Sequence, residues 1–346
     1  MRLLKPLCQV PMKNKNNLLR NLSKIILLSI GKKRLDYQVH EPIISKSAET
    51  HLLRCIKSNY VSSFGEYLSK FEDKLKDITG SKYIVLTNSG TAALFISLKQ
   101  LEVEKCEVLT PSMTFAATSN AIVYNDAIPH YIDSMRSNPC IDVDKLALYL
   151  SEICTMKENV CYNKISKRRI KALIVVHAFG YTAEMSKLIK LCNKYNIKIL
   201  EDAAGALGSY YKNKHVGTFS DFGILSFNGN KIVTTGMGGA ILMKKHKDYK
   251  MVKHLISTAR LEHPYETEHD KVGYNLRMSN INAALGYSQL LSFETTLKKK
   301  KILCEKYISN ISKTELCNFI IENNSSKQNN WVNNLIIKDK YINMRS

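Results

Sequence analysis

The chain lacks the features of metal-binding, disulfide-stapled and membrane-spanning proteins. Its nine cysteines form no CxxC pair, and no cysteines and histidines cluster at metal-ligand spacing, so we expect no structural metal. An odd, scattered set of cysteines is typical of a reducing compartment, which predicts a cytoplasmic protein without a disulfide framework. No run of residues is apolar and long enough to span a bilayer, so we expect no membrane partner.

The N-terminal stretch lacks the pattern of a cleavable leader. Residues 1–17 are a polar, basic lead-in, and residues 24–30 are weakly apolar. No small-residue cleavage pattern follows them. We therefore predict an amphipathic helix over residues 17–30 and not a signal peptide.

Acidic residues are scarce: 30 Asp and Glu stand against 51 Lys and Arg, for a net charge of +21. Such a charge is compatible with binding to nucleic acid. The lysines are spread along the chain, however, and only residues 167–169 and 298–301 form compact basic runs. No aromatic–basic interleaving accompanies them. We expect no specific nucleic-acid partner, and interpret the charge as a composition bias or as attraction for an anionic substrate.

Strands alternate with helices through most of the chain, which predicts an α/β fold with a mostly parallel sheet. With 346 residues, 45% of them hydrophobic, the chain can form one large domain and a smaller one. The predicted divisions are a lead-in (1–17), an N-terminal helical segment (18–60), a large domain (61–255) and a small C-terminal domain (256–346). Strands are predicted at 83–86, 107–109, 129–132, 172–176, 197–200, 222–227, 240–243 and 331–337, and a surface loop within 145–169.

A glycine-rich stretch at 226–239 contains Ser226 and a lone lysine, Lys231, between two predicted strands. Glycine serves where backbone segments approach closely. A lysine held in a packed loop can lose its proton and become the amine that forms a Schiff base. A hairpin with a solvated lysine is the alternative, and neighbouring motifs decide between the two.

Further motifs follow predicted strands, where ligands bind in parallel α/β sheets. Residues 88–91 (Asn-Ser-Gly-Thr) open a helix and suit a phosphate, or form an ordinary N-cap. Phe115 can stack on a flat ring or lie in the core. Asp202, after the strand 197–200, can hold a protonated ring nitrogen as a pyridoxal phosphate (PLP) enzyme requires, or cap a helix.

In order and spacing, these stretches resemble the DegT/DnrJ/StrS family of PLP-dependent sugar aminotransferases. The resemblance is carried by residues 88–94, 114–118, 201–208, 226–239 and 273–289. Residues 40–42 (His-Glu-Pro), 59–63, 226–231 and 263–265 are most similar to the branch that makes 4-amino-4,6-dideoxy-N-acetylhexosamine nucleotides, precursors of the bacillosamine and legionaminic type. The resemblance implies the type I PLP, aspartate aminotransferase-like fold, with a mostly parallel mixed sheet flanked by helices.

The resemblance also implies residue roles. Lys231 would form the Schiff base and move the proton, and Asp202 would pair with the pyridinium nitrogen. Asn275 would reach the cofactor phosphate of the neighbouring subunit, so the resemblance implies a homodimer with shared active sites. His177 and Arg277 could border the substrate, or be a structural histidine and a structural salt bridge. The full implied cofactor set is Ser89, Gly90, Thr91, Phe115, Asp202, Gly205, Ser226, Lys231 and Asn275.

The implied reaction moves an amino group from glutamate to C4 of a nucleotide-linked 4-keto-6-deoxy-N-acetylhexosamine, with UDP as the expected nucleotide. Such products serve cell-surface polysaccharide or glycan biosynthesis. One alternative is a PLP-dependent sugar 3-dehydratase, whose members replace the Schiff-base lysine with histidine, so Lys231 argues against it.

Two departures from the family pattern open a second alternative. Gly205 stands where the family usually carries Gln, His or Glu beside the cofactor ring, so we expect that a contact with the ring is lost. Gly205→Gln or Gly205→Glu should then bind PLP more tightly or raise turnover. Family members also continue past the strand at 331–337, whereas this chain ends at Ser346. The small domain is therefore expected to be incomplete, and the alternative is a catalytically impaired, truncated remnant.

Overall fold

The computed structural model describes residues 17–31, 40–312, 317–320 and 325–338. All but the last residue of the predicted lead-in lies outside them. The helices are α1 (Asn17–Ile30), α2 (Lys46–Lys57), α3 (Glu66–Thr79), α4 (Gly90–Gln100), α5 (Ala116–Val123), α6 (Val143–Ile153), α7 (Met185–Lys194), α8 (His246–Ile256), α9 (Asn280–Leu290) and α10 (Phe293–Ile311).

The strands of the main sheet are β1 (Tyr83–Thr87), β2 (Glu107–Pro111), β3 (Ile128–Ile132), β6 (Ile170–Val176), β7 (Lys198–Asp202), β10 (Phe222–Ser226) and β11 (Gly239–Met243). Short strands outside it are β4 (Cys154–Lys157), β5 (Val160–Asn163), β8 (Tyr210–Tyr211), β9 (Lys214–His215), β12 (Cys317–Phe319), β13 (Ser326–Lys327) and β14 (Leu335–Ile337).

The main sheet has the order β1-β11-β10-β7-β6-β2-β3. β11 runs antiparallel to both of its neighbours, β1 and β10, and the pairs from β10 to β3 are parallel. The predicted mostly parallel α/β sheet is therefore confirmed. Its central strands are nearly continuous apolar runs, as burial on both faces requires.

Helices cover both faces of the sheet. One face packs on residues of α3, α6, α7 and α9, among them Phe71, Leu150 and Leu188. The other face packs on α4, α5 and α8, among them Ile96 and Val252. Alternate residues of a strand point to opposite faces, so Leu173 belongs to the first cluster and Ile174 to the second. The result is a three-layer fold that leaves the strand ends accessible.

Local signals set the ends of several elements. Gly80 ends α3 in the left-handed conformation, with φ of 68°. Ser89 and Ser279 cap α4 and α9 through their side chains. The predicted amphipathic helix over 17–30 is confirmed as α1.

Some predictions at the periphery are only partly right. The surface loop predicted within 145–169 is limited to the turn at 158–159 and to residues 164–168, because residues 154–163 form an antiparallel hairpin, β4–β5. Each of these strands has only four residues, too few to show a clear alternation in the sequence. The strand predicted over 331–337 is limited to Leu335–Ile337, and Trp331 lies in a bend before it.

The first described helix and a late described strand pack against other parts of the fold. α1 contacts α10 through Leu22 and Ile311, and β13 pairs with β8. The predicted division into domains stays a prediction. No helix in the described part of the chain is long and apolar enough to cross a membrane. Among the same residues, no group of three or more His, Cys, Asp or Glu side chains is arranged to hold a metal ion.

Candidate active site

Four neighbouring strands, in the order β1-β11-β10-β7, bring the predicted site residues to one edge of the sheet. Ser226 ends β10 and Thr87 ends β1, and both lie in register with Gly239 at the start of β11. Asp202 ends β7 and pairs with Ile224, two residues before Ser226. The strand-end motifs that are far apart in sequence therefore converge, as expected for a parallel α/β sheet.

The turn before α4 packs tightly against the glycine-rich stretch. A Cβ placed on Gly90 would lie 2.9 Å from Cβ of Ser226. A Cβ placed on Gly239 would lie 2.5 Å from the carbonyl oxygen of Ser89. Neither spacing admits a larger residue, so these two glycines are required for the close approach.

This approach places a hydroxyl beside a helix N-terminus. Ser226 lies against Gly90, the first residue of α4, and Thr91 follows in the first turn. The Ser89 Oγ accepts a hydrogen bond from the Ala92 backbone N–H at 3.0 Å. Unpaired amides and the helix dipole favour an anion at such a terminus.

The Asp202 carboxylate is buried and held in place by two hydrogen bonds. Thr118 Oγ1 donates to Asp202 Oδ2 at 2.8 Å, and the Ala204 backbone N–H donates to Oδ1 at 3.1 Å. Thr114 Oγ1 in turn donates to Thr118 Oγ1 at 2.8 Å. The threonine pair at the start of α5 thus orients the carboxylate.

Lys231 lies in the loop between β10 and β11, and α9 fixes that loop. Gln289 of α9 forms two hydrogen bonds with the Thr234 backbone, one to its N–H and one to its carbonyl. Burial lowers the pKa of the Lys231 amine below its ordinary value, and the nearby Asp202 carboxylate opposes this shift in part. A lowered pKa increases the fraction of free amine, which is the nucleophilic form.

His177 does not border the site with its ring. Its Nδ1 accepts from the Ala183 N–H at 3.3 Å, and its Nε2 lies 3.1 Å from Glu201 Oε2. The first contact places the proton on Nε2, so the ring donates to Glu201 and both nitrogens are engaged. The prediction of a substrate-contacting His177 is therefore wrong, and the alternative of a structural histidine describes it.

Glu201 is the fully buried centre of this network. Backbone N–H groups of Gly217, Phe219 and Ser220 donate to it at 2.7–2.8 Å. Burial raises the pKa of Glu201, but the hydrogen bonds from His177 and the backbone outweigh that effect and hold the pKa below its ordinary value. Through these hydrogen bonds the ionised carboxylate holds the end of β7 against the segment that leads into β10.

Phe115, Asn275 and Arg277 lie at the border of this region. Phe115 is 69% exposed at the start of α5, one turn before Thr118. Asn275 is exposed, and Arg277 forms a β-bridge with Thr87. The Arg277 guanidinium lies 5.5 Å from the Phe64 ring centroid. The predicted roles of these three residues stay predictions.

Gly205 leaves no gap beside the site. The Trp331 indole occupies this space, and a Cβ on Gly205 would lie 2.6 Å from Trp331 Cζ3. The ring centroid of Trp331 is 4.1 Å from Lys231 Nζ. The interpretation of Gly205 as a position that merely lost a contact is therefore wrong, and substitution by Gln or Glu is expected to displace the indole.

The sequence predictions missed three contributors: Thr118, Trp331 and Gln289. Thr118 could have been found from the sequence, since it lies in the stretch 114–118 that carries the family resemblance. Trp331 is the only tryptophan of the chain, but nothing local places it beside Lys231. Gln289 likewise ends the stretch 273–289, but its contact with the loop appears only in the packed structure.

The residues fit a phosphorylated aldehyde cofactor such as PLP. The amine of Lys231 is partly buried near a carboxylate, which suits the condensing group. Asp202 is oriented at a strand end to pair with a cationic ring nitrogen. The close approach of Ser226 to Gly90 places a hydroxyl beside the first turn of α4, an arrangement that suits a phosphate.

Comparison with known proteins agrees with this arrangement. A sequence profile of the DegT/DnrJ/EryC1/StrS aminotransferase family matches residues 42–345. The chain is similar to a GDP-perosamine synthase of Escherichia coli, with 34% identity over 275 residues, 79% of this chain and 71% of that protein. It is also similar to a UDP-4-amino-4,6-dideoxy-N-acetyl-beta-L-altrosamine transaminase of Campylobacter jejuni, with 32% identity over 272 residues, 78% of this chain and 67% of that protein.

A solved structure shares the fold. PseC of Helicobacter pylori, an aminotransferase involved in the biosynthesis of pseudoaminic acid, superposes with a TM-score of 0.78. The match covers 88% of this chain and 79% of PseC, at 24% sequence identity. The implied type I PLP fold is confirmed.

Proposed function

Because this chain belongs to the DegT/DnrJ/EryC1/StrS aminotransferase family, whose aminotransferases are PLP-dependent, we propose that it moves an amino group from glutamate to C4 of a nucleotide-linked 4-keto-6-deoxy-N-acetylhexosamine. The observation that carries this proposal is the partly buried Lys231 amine near the oriented Asp202 carboxylate. A nucleophilic amine and a fixed anion at one strand edge are what amino-group transfer through PLP requires.

PLP supplies the electron sink that stabilises the carbanion left when an amino acid loses its α-proton. The proposed roles of the protein follow from placement. Lys231 would hold the cofactor aldehyde through its amine and would move a proton when that amine is free. Asp202 would keep the ring nitrogen protonated, and Thr118 holds that carboxylate oriented. Ser89, Gly90, Thr91 and Ser226 would bind the phosphate, and Phe115 would cover the ring.

The sugar is proposed from the relatives. One relative is named as a 4-amino-4,6-dideoxy-N-acetyl sugar nucleotide transaminase and another as a GDP-perosamine synthase. We favour a UDP-linked substrate on the first of these, with a GDP-linked sugar as the competing substrate in the test. The excess positive charge of the chain suits either diphosphate.

The subunit arrangement is a further part of the proposal. Exposed Asn275 lies beside the phosphate turn, since Leu276 accepts from the Asn88 N–H at 2.8 Å. We propose that this segment serves the site of a second copy in a homodimer. Sedimentation velocity at micromolar concentration should give about twice the chain mass, and a monomer that transaminates would contradict this part.

The test of function is a single-turnover assay. PLP-loaded protein is first converted with glutamate, freed of 2-oxoglutarate, and then mixed with 4-keto and 3-keto sugar nucleotides carrying UDP or GDP. We expect the 4-keto UDP sugar to gain an amino group, detected by mass spectrometry, and Lys231→Ala to abolish turnover.

Other outcomes have distinct meanings. Amination of the 3-keto sugar alone would contradict the regiochemistry and leave the aminotransferase assignment intact. A dehydrated sugar without added nitrogen would identify a dehydratase. Absence of 2-oxoglutarate formation from glutamate, in folded protein that binds PLP, would contradict glutamate as the donor.

A further inference from the structure

A C-terminal bend is fastened onto the turn that follows Asp202. Asn329 is buried, and its side chain both donates and accepts hydrogen bonds. Its Nδ2 donates to the carbonyls of Gly205 and Leu207, each at 2.9 Å, and its backbone N–H donates to Ser209 Oγ at 3.0 Å. Its Oδ1 accepts from the Trp331 N–H at 2.9 Å. The backbone of Trp331 is therefore fixed relative to the site.

The indole of Trp331 is also fixed at its far end. Its Nε1 donates to the Asn230 carbonyl at 2.8 Å, directly before Lys231 in the chain. Lys300 Nζ donates to the Trp331 carbonyl at 3.1 Å. Held at both ends, the ring lies 4.1 Å from the amine of Lys231, measured from its centroid to Nζ. This is a close cation–π distance.

Gly205 is the position that admits the ring. A Cβ there would meet Trp331 Cζ3 at 2.6 Å and Cε3 at 2.7 Å. The indole cannot move aside without losing its hydrogen bond to Asn230, so even alanine at position 205 conflicts with the observed pose. Gly205 and Trp331 thus form a matched pair.

We infer that Trp331, seated on Gly205, is a positioning residue that covers the Lys231 amine, limits its rotamers and keeps bulk water from it. This inference rests on the proposed role of Lys231 as the amine that condenses with the cofactor. A lysine ammonium is compact and strongly hydrated in water, and its stem is flexible. A cover that excludes water therefore has a large effect on the amine. The indole therefore occupies the space that a side chain at position 205 would take.

Two effects of the ring on the amine oppose each other. Its bulk removes water and favours the neutral amine, whereas its π-face favours the ammonium. Burial is the largest influence on the pKa of Lys231 and lowers it. Removing the ring should therefore admit water and make the amine more basic.

The direct test uses the full chain without PLP. Trace acetylation from pH 6 to 11, read by peptide mass spectrometry, gives the pH midpoint and limiting rate of labelling for Lys231, with exposed Lys299 as internal reference. We expect Trp331→Ala and Gly205→Ala to raise the midpoint toward about 10.4, the ordinary lysine value, and to increase the limiting rate several-fold. Trp331→Phe should restore most of the wild-type behaviour.

A matched control adds the same methyl group nearby. Gly229→Ala lies two residues before Lys231, and its Cβ would have the Gly236 carbonyl at 4.0 Å as its nearest neighbour. We expect wild-type labelling for this variant. A midpoint for Lys231 that stays or falls in both Trp331→Ala and Gly205→Ala would overturn the inference.

Fluorescence gives an independent readout, since Trp331 is the only tryptophan. Gly205→Ala should shift its emission to longer wavelength and increase quenching by acrylamide, whereas Gly229→Ala should leave both unchanged. Unchanged emission and quenching in folded Gly205→Ala would show that the indole does not depend on Gly205, and would overturn the pairing. Both readouts need no turnover, so a failure of the proposed function leaves them interpretable.

Discussion

At the scale of single residues, two lysines of the site region have lowered pKa values for the same reason. Burial lowers the pKa of Lys231, and burial lowers the pKa of Lys300 to about 8. Only Lys231 lies on the loop between β10 and β11 with Asp202 near its amine. Depressed basicity alone therefore does not identify the nucleophile, and the neighbouring carboxylate distinguishes the two.

The first prediction separates these lysines. Borohydride reduction of PLP-loaded protein should add the mass of the reduced cofactor to the peptide containing Lys231, because the Lys231 amine, unlike that of Lys300, is influenced by the charge of Asp202, the proposed partner of the ring nitrogen. Lys231→Met should lose the label, and Lys300→Met should keep it. Peptide mass spectrometry reads the result, and label on the Lys300 peptide of the wild type would refute the assignment.

At the scale of elements, the end of β7 is held by a buried charge and not by apolar packing alone. Glu201 accepts hydrogen bonds from His177 and from the segment between β9 and β10, directly beside the residue proposed to hold the cofactor. Buried carboxylates persist only when such partners offset desolvation. The network therefore sets where Asp202 is presented.

The second prediction tests this network. Glu201→Gln replaces a carboxylate, which only accepts hydrogen bonds, by an amide whose NH₂ group would face the N–H donors around it. We therefore expect the free energy of unfolding to fall by about 3 kcal/mol. Urea titration gives the value. Glu184→Gln is the control, because it removes a partly exposed ion pair with Lys187, worth at most about 1 kcal/mol. Equal losses in the two variants would contradict the role of Glu201.

At the scale of the whole molecule, the chain carries an excess of positive charge, and yet the pKa of one carboxyl group, that of Glu72, is raised. Glu72 of α3 lines a cavity of about 940 Å³ together with Lys253 and Arg277. Burial raises the pKa of Glu72 from 4.5 to about 7, despite opposing influences of Lys76 and Lys253. Desolvation thus outweighs the attraction of the basic surroundings at this position.

The third prediction concerns pH. Between about pH 4.5 and 7 the folded chain binds more protons at Glu72 than the unfolded chain, so this group costs stability as pH rises through that window. Glu72→Gln should therefore stabilise the protein at pH 8, on the order of 2 kcal/mol after allowing for solvent screening, and by much less at pH 5.

Urea unfolding at the two pH values measures the difference. Glu66→Gln on the same helix removes an exposed pair with Lys70 and should shift stability by no more than about 0.5 kcal/mol at either pH. A pH-independent effect of Glu72→Gln would show that its carboxyl titrates normally.

The sequence by itself determined the sheet and the order of its strand-end residues. Local sequence signals, namely apolar runs, capping residues and glycines, act over a few positions. They were therefore enough to predict the alternation of strands and helices, and to place Asp202, Ser226 and Lys231 at one edge of the sheet. The glycines at 90 and 239 were readable for the same reason, since close backbone approach excludes a Cβ.

Only the tertiary structure decided what surrounds those residues. The cover of Lys231 comes from Trp331, and the partner of Glu201 is His177, because packing brings together segments that local patterns treat separately. The same limit explains the misread Gly205: its neighbour is set by a bend of the chain more than a hundred residues later, and no short-range rule connects them.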